Sequence, residues 1–289
     1  MTDQRQDIRH AISLSLVMVG LASTAVAATK YASGNATTEA IVTIQYVVCT
    51  LLCLPRILRA GLKDLRTEHP GLHLLRGVAG VTGFYLFFAS VKSIPMVDAM
   101  LLRQSAPLLV PMVLWIWMRE KVTGTAWIPL IIGFAGIVII LRPSPSGLSL
   151  WHAGGLVSAL TLAISMVATR KLAATEPTAR ILFYYAVLSL ACVAPFSIGD
   201  YQGLTTLDWL AMLYVGAAIY WTLELYTVAY GMAPTAVIAP INYFAVVLAG
   251  LWGWLFWDQV PDGWSLAGSV LVICGGLLTL YLAAAREST

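Results

Sequence analysis

Long apolar runs with almost no charge recur along the whole chain, and they leave it few possible folds. Each run is about 20 residues, the length a helix rising ~1.5 Å per residue needs to cross ~30 Å of hydrocarbon. In lipid every backbone polar group must be satisfied internally, so only helices and closed barrels cross. Barrel strands need only ~10 residues, so runs of this length predict helices. Composition agrees: 59% of the 289 residues are hydrophobic and 11% are charged, against ~25% charged in a soluble domain. Mean hydropathy is +0.82. There is too little polar surface to cover a globule in water.

The expected fold is an all-α membrane protein with ten transmembrane helices in the lipid bilayer. The runs are 11–32, 40–58, 72–91, 97–118, 126–141, 153–172, 179–198, 207–230, 236–257 and 263–284. Short connections with breakers separate them, such as Ser33-Gly34-Asn35, Ser93-Ile94-Pro95 and Pro261-Asp262-Gly263. The polar segment Met1–His10 precedes a run long enough to span and lacks an A-x-A cleavage site, so the first helix is expected to remain.

Charge placement sets the orientation. With the N-terminus in the cytoplasm, that side receives Arg5, Arg9, Arg56, Arg59, Lys63, Arg66, Arg76, Arg119, Lys121, Arg170, Lys171, Arg180 and Arg286. The far side receives Lys30, Lys92 and Arg142. The positive-inside bias places both termini in the cytoplasm of a bacterial inner-membrane protein. Most Trp residues, such as Trp127, Trp151, Trp209 and Trp264, fall near span ends, as an interfacial belt requires; Trp221 falls near mid-membrane.

Several other functions are excluded or disfavoured. No basic stripe outside the loop after the second span supports nucleic-acid binding. Cys49, Cys53, Cys192 and Cys274 lie in apolar runs without partners at metal-ligand spacing, so they read as small buried residues. No metal, cofactor or catalytic residue is expected. The patterns G-x-S-x-G and H-E-x-x-H do not occur, and His10, His69, His73 and His152 lie at span ends or in loops, which disfavours a membrane-embedded enzyme.

The halves repeat. Ala28-Thr29-Lys30 matches Ala168-Thr169-Arg170, and Pro55 matches Pro195, both 140 residues apart. Trp115-Ile116-Trp117 matches Trp252-Gly253-Trp254, followed by Glu120 and Asp258. Pro129 and Gly136 then match Gly268 and Gly275. The repeats are expected at residues 1–147 and 148–289 within one membrane domain. Five spans is an odd number, so the second copy enters the membrane upside down. Two inverted five-helix repeats around a central cavity are an architecture of carriers with alternating access.

These features resemble the drug/metabolite transporter superfamily, in the EamA-type branch of ten-helix transporters, and are similar to bacterial exporters of amino acids, including aromatic ones. The resemblance covers nearly the whole chain. It rests on the span count, the inverted halves, and the fourth-to-fifth and ninth-to-tenth segments with their acidic residue and glycines. That branch often carries an Arg midway along the second helix, where this chain reads Thr43-Ile44-Gln45-Tyr46. The resemblance implies export of a small-molecule substrate.

Ionisable residues within spans are costly and often functional. Arg103 and Glu224 each lie about 9 Å inside a span, from opposite faces. They are expected to bind opposite ends of a zwitterion, with snorkelling of Arg103 and a structural role for Glu224 as the alternatives. Trp221 and Tyr220 are placed with Glu224 on one aromatic, acidic face. Gln104, Asn242, Tyr243, Tyr46, Tyr85, Tyr184, Tyr185 and Met166 are further candidates for lining the cavity, with ordinary packing as the alternative. Pro107, Pro111 and Pro240 are candidate hinges, since Pro removes a helix donor. Gly133 and Gly136, with Gly268, Gly275 and Gly276, allow close approach, so the fifth and tenth spans read as supports or a homodimer surface. The leading function is export of amino acids or similar small amphipathic metabolites. The alternative is export of hydrophobic or quaternary cations held by Glu224 in an aromatic cage. Sugar phosphates are disfavoured because only Arg103 reads as deep.

Overall fold

The computed structural model describes residues 2–61, 65–119, 127–141, 149–232, 241–242, 244–260 and 262–287. Among them the structure is helical without strands. The helices are α1 Thr2–Ala32, α2 Thr38–Ala60, α3 Pro70–Ser93, α4 Met96–Gln104, α5 Ala106–Met118, α6 Trp127–Leu141, α7 Leu150–Ala173, α8 Thr178–Val193, α9 Thr206–Met232, α10 Phe244–Trp257 and α11 Gly263–Glu287. Six stretches are long and apolar enough to cross a membrane: Arg9–Ala32, Thr38–Arg59, Pro70–Ser93, Met96–Trp117, Leu150–Ala173 and Thr178–Ser197. Phe244–Trp257 and Gly263–Gly275 are shorter apolar helices. Large apolar side chains such as Leu16, Leu51, Ile131, Val247 and Val270 stand exposed on the outside, where a soluble fold would carry charge.

Local signals explain most helix ends. Thr37 accepts from the Ala40 N–H at the start of α2, and Ser149 accepts from Trp151 N–H at the start of α7. Pro70 opens α3, where its missing N–H costs nothing. α5 and α10 are each followed by a non-glycine residue in the left-handed region, Arg119 (φ 54°) and Asp258 (φ 51°). These are the positive-φ non-glycine residues of the described chain, and they follow the two matching Trp-x-Trp segments.

The expected fourth span is interrupted. α4 stops at Gln104 and α5 starts at Ala106, with Ser105 between them. Pro107 has no N–H to reach the Arg103 carbonyl, and its ring crowds that carbonyl. Pro111 is carried inside α5 without a second break. Pro195 similarly sits in a short 3-10 turn, Ala194–Ser197, after α8.

The packing of helices has a regular pattern. α1 packs on α9 and α3 on α7; α2 packs on α9 and α3 on α8; α2 packs on α8, α4 on α10 and α6 on α11. Exchanging each helix of the first half with its counterpart in the second turns α1–α9 into α7–α3 and α2–α9 into α8–α3. The other three pairs map onto themselves. Polar contacts at the helix ends and connections include two groups. One holds Lys30 Nζ on the Val91 carbonyl (2.8 Å), Asn35 on Asp208 (3.1 Å), Thr37 on Asp200 (2.8 Å) and Gln259 on the Met96 N–H (3.1 Å). The second joins the α2–α3 and α7–α8 connections, with Tyr184 Oη donating to the Leu65 carbonyl (2.8 Å) and Thr67 Oγ1 to Glu176.

The glycines of α6 and α11 face each other within one chain. A Cβ on Gly275 would stand 2.8 Å from the Gly133 nitrogen and the Pro129 carbonyl, and one on Gly136 would stand 2.7 Å from the Gly268 carbonyl. These obstacles are backbone, so neither can yield cheaply. Gly275→Ala is therefore expected to separate α6 from α11 and cost about 1–3 kcal/mol, seen as a fall of several degrees in the melting temperature of detergent-purified protein. An unchanged melting temperature would refute this close contact.

Candidate functional site

The polar interior is built around α3. Its residues His73, Arg76, Gly80, Gly83 and Phe87 recur at three- and four-residue spacing, so they share one side of the helix. Gly80 lets the Tyr185 ring of α8 lie against the α3 backbone; a Cβ there would stand 2.1 Å from Cε2. Tyr185 Oη meets Tyr46 Oη of α2 at 3.0 Å, and both tyrosines are buried.

Two guanidinium groups flank this tyrosine pair. Arg76 is 6% exposed; its Nε donates to Thr169 Oγ1 (2.7 Å), its Nη1 to the Ile181 carbonyl (2.8 Å), and its Cζ lies 4.4 Å from the Tyr185 ring centre. Arg103, in the last turn of α4, donates from Nη1 to the Gly83 carbonyl (3.2 Å) and lies over Phe84 and Phe87, 4.4 and 4.6 Å from their centres. Its place at a helix C-terminus favours a cation. Among the described residues neither arginine forms a salt bridge with a carboxylate. Cation–π contacts contribute ~0.5–2 kcal/mol each, whereas leaving a charge unpaired in the interior costs several kcal/mol.

The acidic groups are engaged elsewhere. Glu224 on α9 is 7% exposed and pairs with Arg56 near the end of α2. Arg103 and Glu224 therefore have different partners. Tyr220 shares Glu224's buried side, while Trp221 turns away and is 50% exposed. Tyr85 donates to Glu39 (2.8 Å). Tyr184 is held by the Leu65 carbonyl and lies against His73, ring centres 4.5 Å apart. Met166 packs against the α5 cluster of Ala106, Leu109 and Val113. Gln104 Nε2 donates to the Asn242 carbonyl (3.0 Å), bridging α4 to the residues before α10. Tyr243 and Pro240 lie outside the described residues.

The sequence reading passed over Arg76, Gln45 and the Glu176 cluster. Arg76 reads as an interfacial cation by depth alone. Its i+4 and i+7 neighbours are Gly80 and Gly83, a small-residue face of the kind that packs against another helix, and that was the available signal. Gln45 is fully buried, with neither side-chain atom hydrogen-bonded among the described residues. At the α2–α3 and α7–α8 connections a cavity of about 480 Å³ is lined by Arg66, Thr67, Glu68, His69, Thr175, Glu176 and Arg180. Its floor is closed by Glu176, which accepts from Thr67 and meets His73 Nε2 at 2.6 Å. His73 lies one turn before Arg76 on α3.

A helical bundle with an apolar exterior and cations held inside defines a multi-pass membrane transporter. The chain belongs to the EamA-like transporter family, whose model matches residues 9–142 and again 149–281. It is 30% identical over 246 residues to the pseudopaline exporter CntI of Pseudomonas aeruginosa, covering 84% of this chain and 86% of that one. It is 29% identical over 249 residues to a riboflavin transporter of Rhizobium johnstonii, covering 84% and 81%. It is 24% identical over 238 residues to an S-adenosylmethionine uptake transporter of Rickettsia bellii, covering 82% and 81%. A solved crystal structure of a protein with 21% identity matches 97% of this chain and 99% of its own length with a TM-score of 0.64, a likeness of fold. The named relatives are bacterial transporters of metabolites; amino-acid export is not among their names.

The Glu176 cluster generates a pH prediction. Burial pushes the Glu176 carboxyl up, but hydrogen bonds from Thr67 and His73 and the charge of Arg180 outweigh it, so the group is held below the ordinary carboxylate range. A depressed carboxyl stabilises the fold above its unfolded pKa of ~4.3 and loses that contribution as pH falls through the lower folded value. Between about pH 5 and pH 3 the melting temperature of wild type is expected to fall more steeply than that of Glu176→Gln. Parallel slopes would remove Glu176 from the account.

Proposed function

We propose that this transporter is a ten-span carrier of two inverted five-helix repeats that exports amino acids or similar small amphipathic metabolites by alternating access. Arg103 carries the reading. It is a cation on an aromatic floor of Phe84 and Phe87 whose guanidinium makes one protein hydrogen bond and no salt bridge among the described residues. Such a group fits a carboxylate beside an apolar or aromatic side chain. Tyr46 and Tyr185 stand near it, with Gln104 next along α4 bonded to the Asn242 carbonyl ahead of α10.

Three observations support the inverted halves. Helix pairs exchange under the half-to-half correspondence. The left-handed residues Arg119 and Asp258 follow α5 and α10. The family model matches each half separately. The Lys and Arg bias puts both termini in the cytoplasm, on the side of the Glu176 cavity. Ser105, set free by Pro107, is the hinge this reading favours. Export of quaternary cations fits less well, because Arg56 already neutralises Glu224.

Counterflow of radiolabelled amino acids into proteoliposomes tests the proposal. Wild type is expected to exchange at least one amino acid of the panel. Arg103→Gln should lose about tenfold to a hundredfold of that rate, since a hydrogen bond to a charged group contributes ~1.5–3 kcal/mol. No exchange across the amino-acid panel, or full exchange by Arg103→Gln, would overturn it.

A further inference from the structure

Arg76 and Arg103 belong to one site. The Arg76 guanidinium covers the Tyr185 ring, and that ring lies against Gly80. The Arg103 guanidinium bonds the carbonyl of Gly83, one turn further along α3, or ~5 Å by helix rise. A guanidinium has five N–H donors. Among the described residues Arg76 donates from Nε and Nη1, and Arg103 from Nη1, which leaves Nη2 of both with donors for a ligand. Planar guanidinium forks suit carboxylates.

The charge balance is the second observation. Two cations on one tyrosine-bridged track, without a carboxylate bonded to either among the described residues, leave a local excess of two positive charges. The carboxylates close to the track lie beyond it, Glu176 on His73 and Glu224 on Arg56. The cavity that opens at Arg66 and Arg180 lies on the same end of α3, with His73 between it and Arg76.

Resting on the carrier reading above, we infer that Arg76 and Arg103 form a two-point anion site, and that the cargo carries two carboxylates, one for each guanidinium. The α- and side-chain carboxylates of an amino dicarboxylate supply one anion to each. Arg76 is the specificity-determining group, because it adds the second anchor to the one supplied by Arg103. An anion would approach through the Arg66–Arg180 cavity and reach Arg76 once the Glu176–His73 contact opens.

Counterflow in proteoliposomes with L-glutamate, L-2-aminoadipate and L-glutamine tests this. Glutamine has nearly the shape of glutamate and one carboxylate fewer. Wild type is expected to exchange the two dicarboxylates at least tenfold faster than glutamine at equal low concentration. Arg76→Gln should bring the glutamate-to-glutamine ratio close to one, and Arg76→Lys should keep a ratio between the two. Should Arg76→Gln fail to fold, the Arg76→Lys ratio and the wild-type ratio decide. Glutamine exchange equal to glutamate in wild type, or a ratio unchanged in the Arg76 variants, overturns the two-point site while the carrier stands. Failure of all three probes to exchange overturns it too, and if the remaining amino acids also fail, the carrier reading falls with it.

Discussion

The close approach of α8 to α3 at Gly80 is the contact on which the interior depends. The Tyr185 ring occupies the volume that any side chain at position 80 would need. With the ring there, Tyr46 on α2 can reach its hydroxyl and Arg76 can lie over its face. α2, α3 and α8 are thereby joined through one aromatic group. Arg76 then ties in α7 through Thr169, and Arg103 ties in α4 through the Gly83 carbonyl. Five helices meet at a strip of backbone left bare by glycine.

A strip of this kind solves one problem and creates another. Lipid offers no hydrophobic drive for helices to associate, so close packing over small residues has to hold them together. That same packing draws two guanidinium groups into an interior where charge is expensive. Backbone carbonyls, a threonine hydroxyl and aromatic faces meet part of their demand. The remainder is the demand that the proposed anion would meet. Acidic groups that could have met the need internally are held at the Arg56 and His73 contacts.

Helix breaks sit where movement would be useful. Pro107 separates α4 from α5 at Ser105, two residues past Arg103, so the arginine rides on a short nine-residue segment instead of a full span. The 3-10 turn at Pro195 follows the end of α8. The α6–α11 pair, by contrast, is locked by backbone-to-backbone contact at Gly136 and Gly275. Stiff glycine-packed helices therefore lie in the same bundle as interrupted ones, the contrast that the proposed alternating access would use.

Helicity, membrane embedding and family were legible in the order of residues, because run length and hydropathy are properties of a segment and lipid accepts few backbone solutions. Matched Trp, Pro and Gly positions carried the expectation of a repeat, and the family model matches two successive segments, 9–142 and 149–281. Arg103 also stood out, being a charge inside an apolar run. Partnerships were decided only in three dimensions. Glu224 met Arg56 from a helix 168 residues away instead of facing Arg103, and Trp221 turned outward although helical spacing put it beside Glu224. Arg76 looked interfacial by its depth, and became interior because α7 and α8 close over the glycine face beneath it. Depth along a helix is written in sequence; the direction a face is turned depends on which neighbour can come closest, and that belongs to the assembled bundle.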